Sequence, residues 1–276
     1  MTLDTFTEEA LQFRLQLNIM TLTAGKTPAA VPTAILLGGQ SGAGKTVIHR
    51  LKSSEFKGNI IVIDGDSFRS QHPNYKELHA QFGKDDVEYT KEFAGKMVEA
   101  LINELSQKGF NLLIEGTLRT SQVPLKTAQL LKSRNYLVHL AIMATKPELS
   151  YLSTLVRYEE MFLQSPDSAR STPKDHHDAI VHHLPSNVQE LQDSMIFDSI
   201  QIYNRQKELL FDNDNTAIRA RLESLLFGYW TRFEITNFET SLEKLNELSQ
   251  QNHHDDEYED YLITAQNKLK ELKKEK

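Results

Sequence analysis

Gly39-Gln-Ser-Gly-Ala-Gly44-Lys45-Thr46 is the stretch that decides the fold. It follows the apolar run Ala34-Ile-Leu-Leu-Gly38, and Ile48 and Leu51 after it have helical spacing. The pattern G-x-x-x-x-G-K-[ST] between a strand and a helix is that of a phosphate-binding loop. Glycines let backbone N–H groups turn inward around phosphate oxygens, and the next helix presents its positive end. Gly39, Gln40, Ser41, Gly42, Ala43, Gly44, Lys45 and Thr46 are therefore the expected nucleotide-binding residues. Lys45 is placed to reach the β- and γ-phosphates, and the Thr46 hydroxyl to ligate Mg²⁺.

Working outward, three more apolar runs lack alternation: 59–64, 110–115 and 136–143. Such runs suit strands buried on both faces. Residues 197–203 form a candidate fifth strand. Helical patterns lie at 4–22, 88–108, 123–133 and 147–163. Thr5 with Glu8, and Thr172 with Asp175 around Pro173, have capping-box spacing. Strands alternating with helices predict an α/β fold with a mostly parallel sheet flanked by helices. We expect an N-terminal helical segment (1–33), a P-loop domain (34–228) and a charged helical C-terminal extension (229–276). The last stretch, acidic from Asp255 and basic at its end, reads as a solvated helix or a frayed tail.

The 276 residues include no Cys, which excludes disulfides, thiolate metal sites and a cysteine nucleophile. With 31 Lys and Arg against 38 Asp and Glu, the net charge is −7. Binding to a nucleic-acid backbone needs a basic face, so no nucleic-acid partner is expected. Asp4, Glu8 and Glu9 stand where a signal peptide carries positive charge, and the apolar runs are shorter than a bilayer span. A cytoplasmic protein without a membrane partner is the expectation. The histidines at 176, 177, 182, 183, 253 and 254 lack metal-site spacing and read as structural or surface residues.

Two strands end in an acid and an arginine. Asp64-Gly-Asp66-Ser-Phe-Arg69 closes the second, and Glu115-Gly-Thr117-Leu-Arg119 the third. Carboxyl ends of parallel strands form the active rim of such sheets. Asp66 is a candidate base toward an acceptor hydroxyl, although Asp-Gly-Asp is also a common turn and spacing leaves both readings open. Glu115 is placed to hold a Mg²⁺-bound water or a sugar hydroxyl, and Thr117 and Arg119 to bind a polar or anionic acceptor. Arg157 and Arg170 are candidates to neutralise a transferring phosphoryl group.

Taken together, these residues resemble the zeta toxin family, P-loop kinases of bacterial toxin–antitoxin pairs. The resemblance runs from about Ala34 to Phe227 and includes His72-Pro73, Tyr89-Thr-Lys, Phe93-Ala-Gly-Lys-Met, Ala144-Thr-Lys-Pro-Glu-Leu-Ser and Thr172-Pro-Lys-Asp-His-His. It implies a kinase that uses ATP and Mg²⁺ to phosphorylate the 3′-hydroxyl of UDP-N-acetylglucosamine, and so starves cell-wall synthesis. By motif position, Asp66 is implied as the base, and Lys45, Arg157 and Arg170 as phosphate-stabilising groups. Asp66, Arg69, Glu99, Glu115, Thr117 and Arg119 are implied on the acceptor side. An antitoxin covering the nucleotide site is implied as partner. The extension from Tyr229 departs from the family pattern. Two other readings remain at this stage: a P-loop kinase of a different hydroxyl compound, such as an antibiotic, and a nucleotide-gated interaction module working through the extension.

Overall fold

The computed structural model of the chain describes residues 2–166, 169–213 and 217–274. Six strands form one sheet: β1 (Thr33–Gly38), β2 (Ile61–Asp64), β3 (Leu112–Glu115), β4 (Leu137–Met143), β5 (Ser199–Tyr203) and β6 (Leu209–Asp212). Their order is β2-β3-β1-β4-β5-β6, parallel except for β6, which runs antiparallel to β5. The register sets Leu37 beside Glu115 and Asp64 beside Glu115, so the ends of β1, β2 and β3 meet at one rim.

Alternate residues of the strands enter different cores, as a two-residue side-chain period requires. Ala34, Leu36, Leu112, Ile114, Leu140 and Ile202 pack with five helices: α1 (Glu8–Thr23), α4 (Asp86–Gln107), α5 (Gln122–Ser133), α7 (Lys174–Asp193) and α8 (Ile218–Phe227). Ile35, Leu37, Leu113, Ala141 and Met143 face the other way and pack with Ile48 of α2 (Thr46–Glu55).

Several local expectations need correction. The cap of α1 is Thr7, whose hydroxyl accepts from the Ala10 N–H at 3.2 Å, while Thr5 donates back to the Thr2 carbonyl. Helix α7 starts at Lys174 with Pro173 in the cap position and no side-chain cap, so the expected Thr172 box does not form. Asn59, Phe110 and Phe197 precede their strands instead of opening them. Strand β6 and the helix α3 (Tyr75–Phe82) were not legible. The hairpin joining β5 to β6 turns on Asn204, whose Oδ1 accepts from the N–H groups of Gln206 (2.9 Å) and Glu208 (3.0 Å).

The C-terminal extension is not a solvated tail. Helices α9 (Arg232–Asn252) and α10 (Asp255–Lys274) form a hairpin against α6 (Pro147–Gln164). Leu149, Leu152 and Val156 of α6 share a core with Phe238, Leu242 and Leu245 of α9 and with Tyr258 and Leu262 of α10. The apolar stripe at helical spacing is real but diluted by charged neighbours. Glu159, fully buried on α6, fastens the α9–α10 turn: it accepts from Asn252 Nδ2 (2.7 Å) and the Tyr258 hydroxyl (2.8 Å), and His254 Nδ1 lies 3.1 Å away. Met1, Glu275 and Lys276, the ends of the expected terminal segments, lie outside the described residues. Among the described residues no helix is long and apolar enough to cross a membrane.

Candidate active site

The loop 39–46 leaves β1 and opens α2. Gly39 has φ +135° and Gly42 φ +71°, and a Cβ at Gly42 would lie 2.0 Å from the Ser150 carbonyl oxygen. Only glycine fits there, in both conformation and space. The loop is braced from behind. Gln40 is fully buried and donates from Nε2 to the Thr145 carbonyl (2.7 Å). Thr145 Oγ1 donates to the Ala43 carbonyl (2.8 Å). Arg205 donates to the carbonyls of Gly42 and Ala43. These bonds occupy outward carbonyls. Helix α2 starts at Thr46 without a side-chain cap, and the N–H groups of Val47 and Ile48 donate to the carbonyls of Gly44 and Lys45 (2.9 Å each).

Lys45 is buried and bridges the loop to the next strands. Its Nζ donates to the Gly39 carbonyl (2.9 Å) and the Gln40 carbonyl (3.2 Å) and sits 3.5 Å from Glu115 Oε1. His49, one turn along α2, places Nε2 2.7 Å from Glu115 Oε2. Burial raises the Glu115 carboxyl, but the His49 hydrogen bond and the charges of Lys45 and His49 outweigh it and hold it below the ordinary carboxylate value. Asp64 behaves oppositely. Burial, with the neighbouring charges of Glu115 and Asp66, pushes it up.

Asp64 also shapes the turn that carries Asp66. Its Oδ1 caps a 3₁₀ turn (65–71) by accepting from the Asp66 N–H at 3.0 Å, and its carbonyl accepts from Ser67 Oγ at 2.6 Å. The Asp66 side chain, 53% exposed, then lies at the rim, accepting from Arg69 Nε at 2.8 Å. Arg69 is fixed in turn by the Val87 carbonyl (2.8 Å) and Thr90 Oγ1 (3.3 Å). Arg170 donates to the Asp66 carbonyl oxygen. Burial raises the Asp66 carboxyl, yet the Arg69 hydrogen bond and the charges of Arg69, Arg170 and Arg157 hold it below its usual range. Arg69 thus bonds the carboxylate, Arg170 bonds the backbone carbonyl of the same residue, and the charge of Arg157 acts on the carboxylate without a hydrogen bond between them.

The other expected residues have looser ties. Thr46 is exposed at the start of α2. Thr117 follows β3, in a bend held by Asn187 Nδ2, which donates to the carbonyls of Leu118 (2.9 Å) and Arg119 (2.8 Å). Leu118 takes a left-handed φ of +54° and packs its side chain over Gly38. The Arg119 side chain is exposed. Glu99 lies on the exposed face of α4, beside Val98, which touches the turn at Gly65. Sequence reasoning missed three site residues. Asp64 lay in the quoted Asp-Gly-Asp, and His49 shares a helix face with Lys45. Arg205 had no signal, because its position depends on the unread hairpin.

A parallel sheet of this order, a glycine loop between β1 and α2, and carboxylates at the ends of β2 and β3 define a P-loop kinase fold. Comparison with known proteins narrows the class. The Zeta toxin family model matches residues 19–216, and the chain belongs to that family. It is 56% identical over 250 residues to Toxin PezT of Streptococcus pneumoniae serotype 4, covering 90% of this chain and 99% of that protein. To Toxin zeta of Streptococcus agalactiae it is 39% identical over 249 residues, covering 90% and 87%. A solved chain of the PezAT chromosomal toxin–antitoxin system of Streptococcus pneumoniae superposes with a TM-score of 0.82 at 52% identity, covering 91% of this chain and 100% of that one. AvrRxo1-ORF1 in complex with AvrRxo1-ORF2 shares the fold alone, with a TM-score of 0.59 at 14% identity and coverage of 88% and 84%.

Proposed function

We propose that this chain is a small-molecule kinase that transfers the γ-phosphate of ATP to the 3′-hydroxyl of UDP-N-acetylglucosamine, and that it acts as the toxin of a toxin–antitoxin pair, blocking cell-wall synthesis. The observation that carries this reading is Asp66 at the strand-end rim where the phosphate loop opens, bonded by Arg69 at its carboxylate and by Arg170 at its carbonyl, with the charge of Arg157 acting on it. Hydrolysis needs only a water. A carboxylate in the turn after β2, bonded by Arg69 and held low by the charges of Arg69, Arg170 and Arg157, suits an acceptor hydroxyl that meets a phosphoryl group at the rim.

In this reading the loop N–H groups and Lys45 hold the β- and γ-phosphates. Asp66, anionic at neutral pH, orients the acceptor hydroxyl and takes its proton. A loose transition state demands little base strength, so a low pKa is no handicap. Arg157 and Arg170 meet the charge spreading over the transferring group. Glu115, Thr117, Arg119, Arg69 and Glu99 face the acceptor. The oxygen donors Thr46, Asp64 and Glu115 fit Mg²⁺, and no group of three or more His, Asp or Glu forms a cage among the described residues. Mg²⁺ characteristically pairs phosphate oxygens and water with one or two carboxylates. Bound there, it would neutralise phosphate charge.

The likeness to a chain of the PezAT toxin–antitoxin system supports a cognate antitoxin as partner, and in this reading it covers the nucleotide site. The test is incubation of the wild-type protein with ATP, Mg²⁺ and UDP-N-acetylglucosamine, with mass and ³¹P NMR analysis of the product. A 3′-phosphorylated sugar nucleotide is expected. Turnover of a different hydroxyl compound, with this one left untouched, would replace the acceptor in the account.

A further inference from the structure

Three buried side chains connect the phosphate loop to the helix that follows Arg170. Gln40 of the loop, Ser150 of α6 and His177 of α7 are each 0% exposed. Gln40 Nε2 lies 3.1 Å from Ser150 Oγ, Ser150 Oγ lies 2.8 Å from His177 Nε2, and His177 Nδ1 lies 3.1 Å from Asp178 Oδ1. The reaction proposed above uses none of these four side chains, and the spacing of His177 marks it only as a structural or surface residue.

The chemistry gives the chain a direction. Burial holds the His177 imidazole below its ordinary value, against the opposing pull of Asp178. Burial raises Asp178, but its bonds to Lys174 and His177 outweigh that and keep it an anion. A neutral imidazole beside a carboxylate carries its proton on Nδ1 and donates it to Asp178. Nε2 is then an acceptor, and the Ser150 hydroxyl, whose other acceptor within reach is the Pro147 carbonyl at 3.0 Å, donates to it at the shorter distance of 2.8 Å. Ser150 Oγ in turn accepts from Gln40 Nε2.

We propose that Ser150 and His177 are positioning residues for phosphoryl transfer, forming a relay that locks the phosphate loop to α6 and to the start of α7. The elements it joins carry the groups that must meet. The loop holds the triphosphate, α6 bears Arg157, and α7 follows directly on the segment bearing Arg170. Gly42 already rests against the Ser150 carbonyl, so the loop and the first turn of α6 share one floor. Ala169 is buried beside Arg170, but His177 is the polar tie that runs from that region to the loop. Without it, the segment bearing Arg170 loses a tie that holds it to the loop. Displacements of about 1 Å in a reacting geometry cost on the order of 100-fold in rate.

The proposal rests on the kinase reading, so its test has an arm that does not. In the kinetic arm, Ser150→Ala and His177→Phe should each lower kcat by about 10- to 100-fold while KM for ATP stays within about twofold. Phe keeps the ring volume and removes the acceptor. His177→Gln, which can place an oxygen where Nε2 was, should restore most of kcat. The double variant Ser150→Ala/His177→Phe should be no worse than either single one, because both break the same line. In the second arm, ¹⁵N NMR of the histidine rings follows His177 on addition of Mg²⁺ with a non-hydrolysable ATP analogue. The wild type should show a neutral Nδ1–H ring whose Nε2 signal moves on nucleotide binding, and Ser150→Ala should abolish that movement. Additive kinetic losses, equal failure of the Gln and Phe variants, or an Nε2 signal indifferent to nucleotide would each overturn the relay. If the wild type phosphorylates no acceptor, the kinase reading fails and the NMR arm alone decides the relay.

Discussion

The strand-end rim and the C-terminal helical hairpin are built from opposite materials. At the rim, Lys45, His49, Glu115, Asp66, Arg69 and Arg170 are joined by hydrogen bonds and ion pairs, and the backbone passes through left-handed conformations at Gly39, Gly42 and Leu118. In the hairpin, leucines at helical spacing fill an apolar seam, and one buried carboxylate, Glu159, supplies the polar fastening. The rim places charge where a reaction would need it and gains little from packing. The hairpin gains its order from burial. Substitutions in the two regions should therefore separate chemistry from stability.

The largest effect should come from the rim. Arg170→Ala, and separately Arg157→Ala, should lower kcat on the order of 10³-fold, within the range of charge-neutralising arginines in phosphoryl transfer. KM should change far less, since the partner charge develops late. Thermal melting should stay near wild type, because both groups lie at a solvated surface. A loss confined to KM would assign these arginines to ground-state binding and blur the comparison.

The hairpin should answer in the other currency. Leu245→Ala removes a fully buried side chain from the seam and should cost about 2–5 kcal/mol of stability. Denaturant melts measure it. Turnover per folded molecule, taken well below the melting point, should hold. A loss of kcat without a loss of stability would show that the hairpin reaches into the reaction.

A smaller effect distinguishes the regions by pH. Burial holds His72, His139 and His177 below the ordinary histidine value of 6.5, with bonds or charges opposing it in part. Their folded pKa lies below the unfolded one, so the stability they contribute is complete above about 6.5 and drains as pH falls through the folded values. None of the three belongs to the hairpin. The melting midpoint should decline between about pH 6.5 and pH 5, ahead of carboxylate titration, and His139→Gln should flatten that slope. Asp64, raised by burial and like charges, works in the opposite sense at lower pH. A midpoint flat down to pH 5 would contradict this assignment.

Legibility followed the same division. The loop 39–46 and the central strands could be read because glycine conformations and two-sided burial leave direct marks on residue choice. Asp66 and Arg69 stood out as acid and base at a strand end. What could not be read depended on long-range partners. Arg205 braces the loop only because β6 returns the chain beside β5, and β6 is four residues long with no turn glycine. His177 looks like any surface histidine until Ser150, distant in sequence, is set beside it. The caps went to Thr7 and Pro173 because the hydroxyl of Thr5 was already used in a tighter turn and Pro173 took the place the Thr172 box required. The hairpin seam was hidden by its own charge: Glu, Lys and Asn between the leucines gave the stretch the look of a solvated helix.

The central claim is that Asp66 serves the acceptor and not the nucleotide. Single-turnover phosphoryl transfer by Asp66→Asn, with ATP affinity measured on the same sample, tests it most directly. The account predicts ATP affinity within about twofold of wild type and transfer slowed by on the order of 10²- to 10⁴-fold, the usual weight of a positioned general base. Transfer at the wild-type rate, or a loss of ATP binding that accounts for the whole defect, would contradict it.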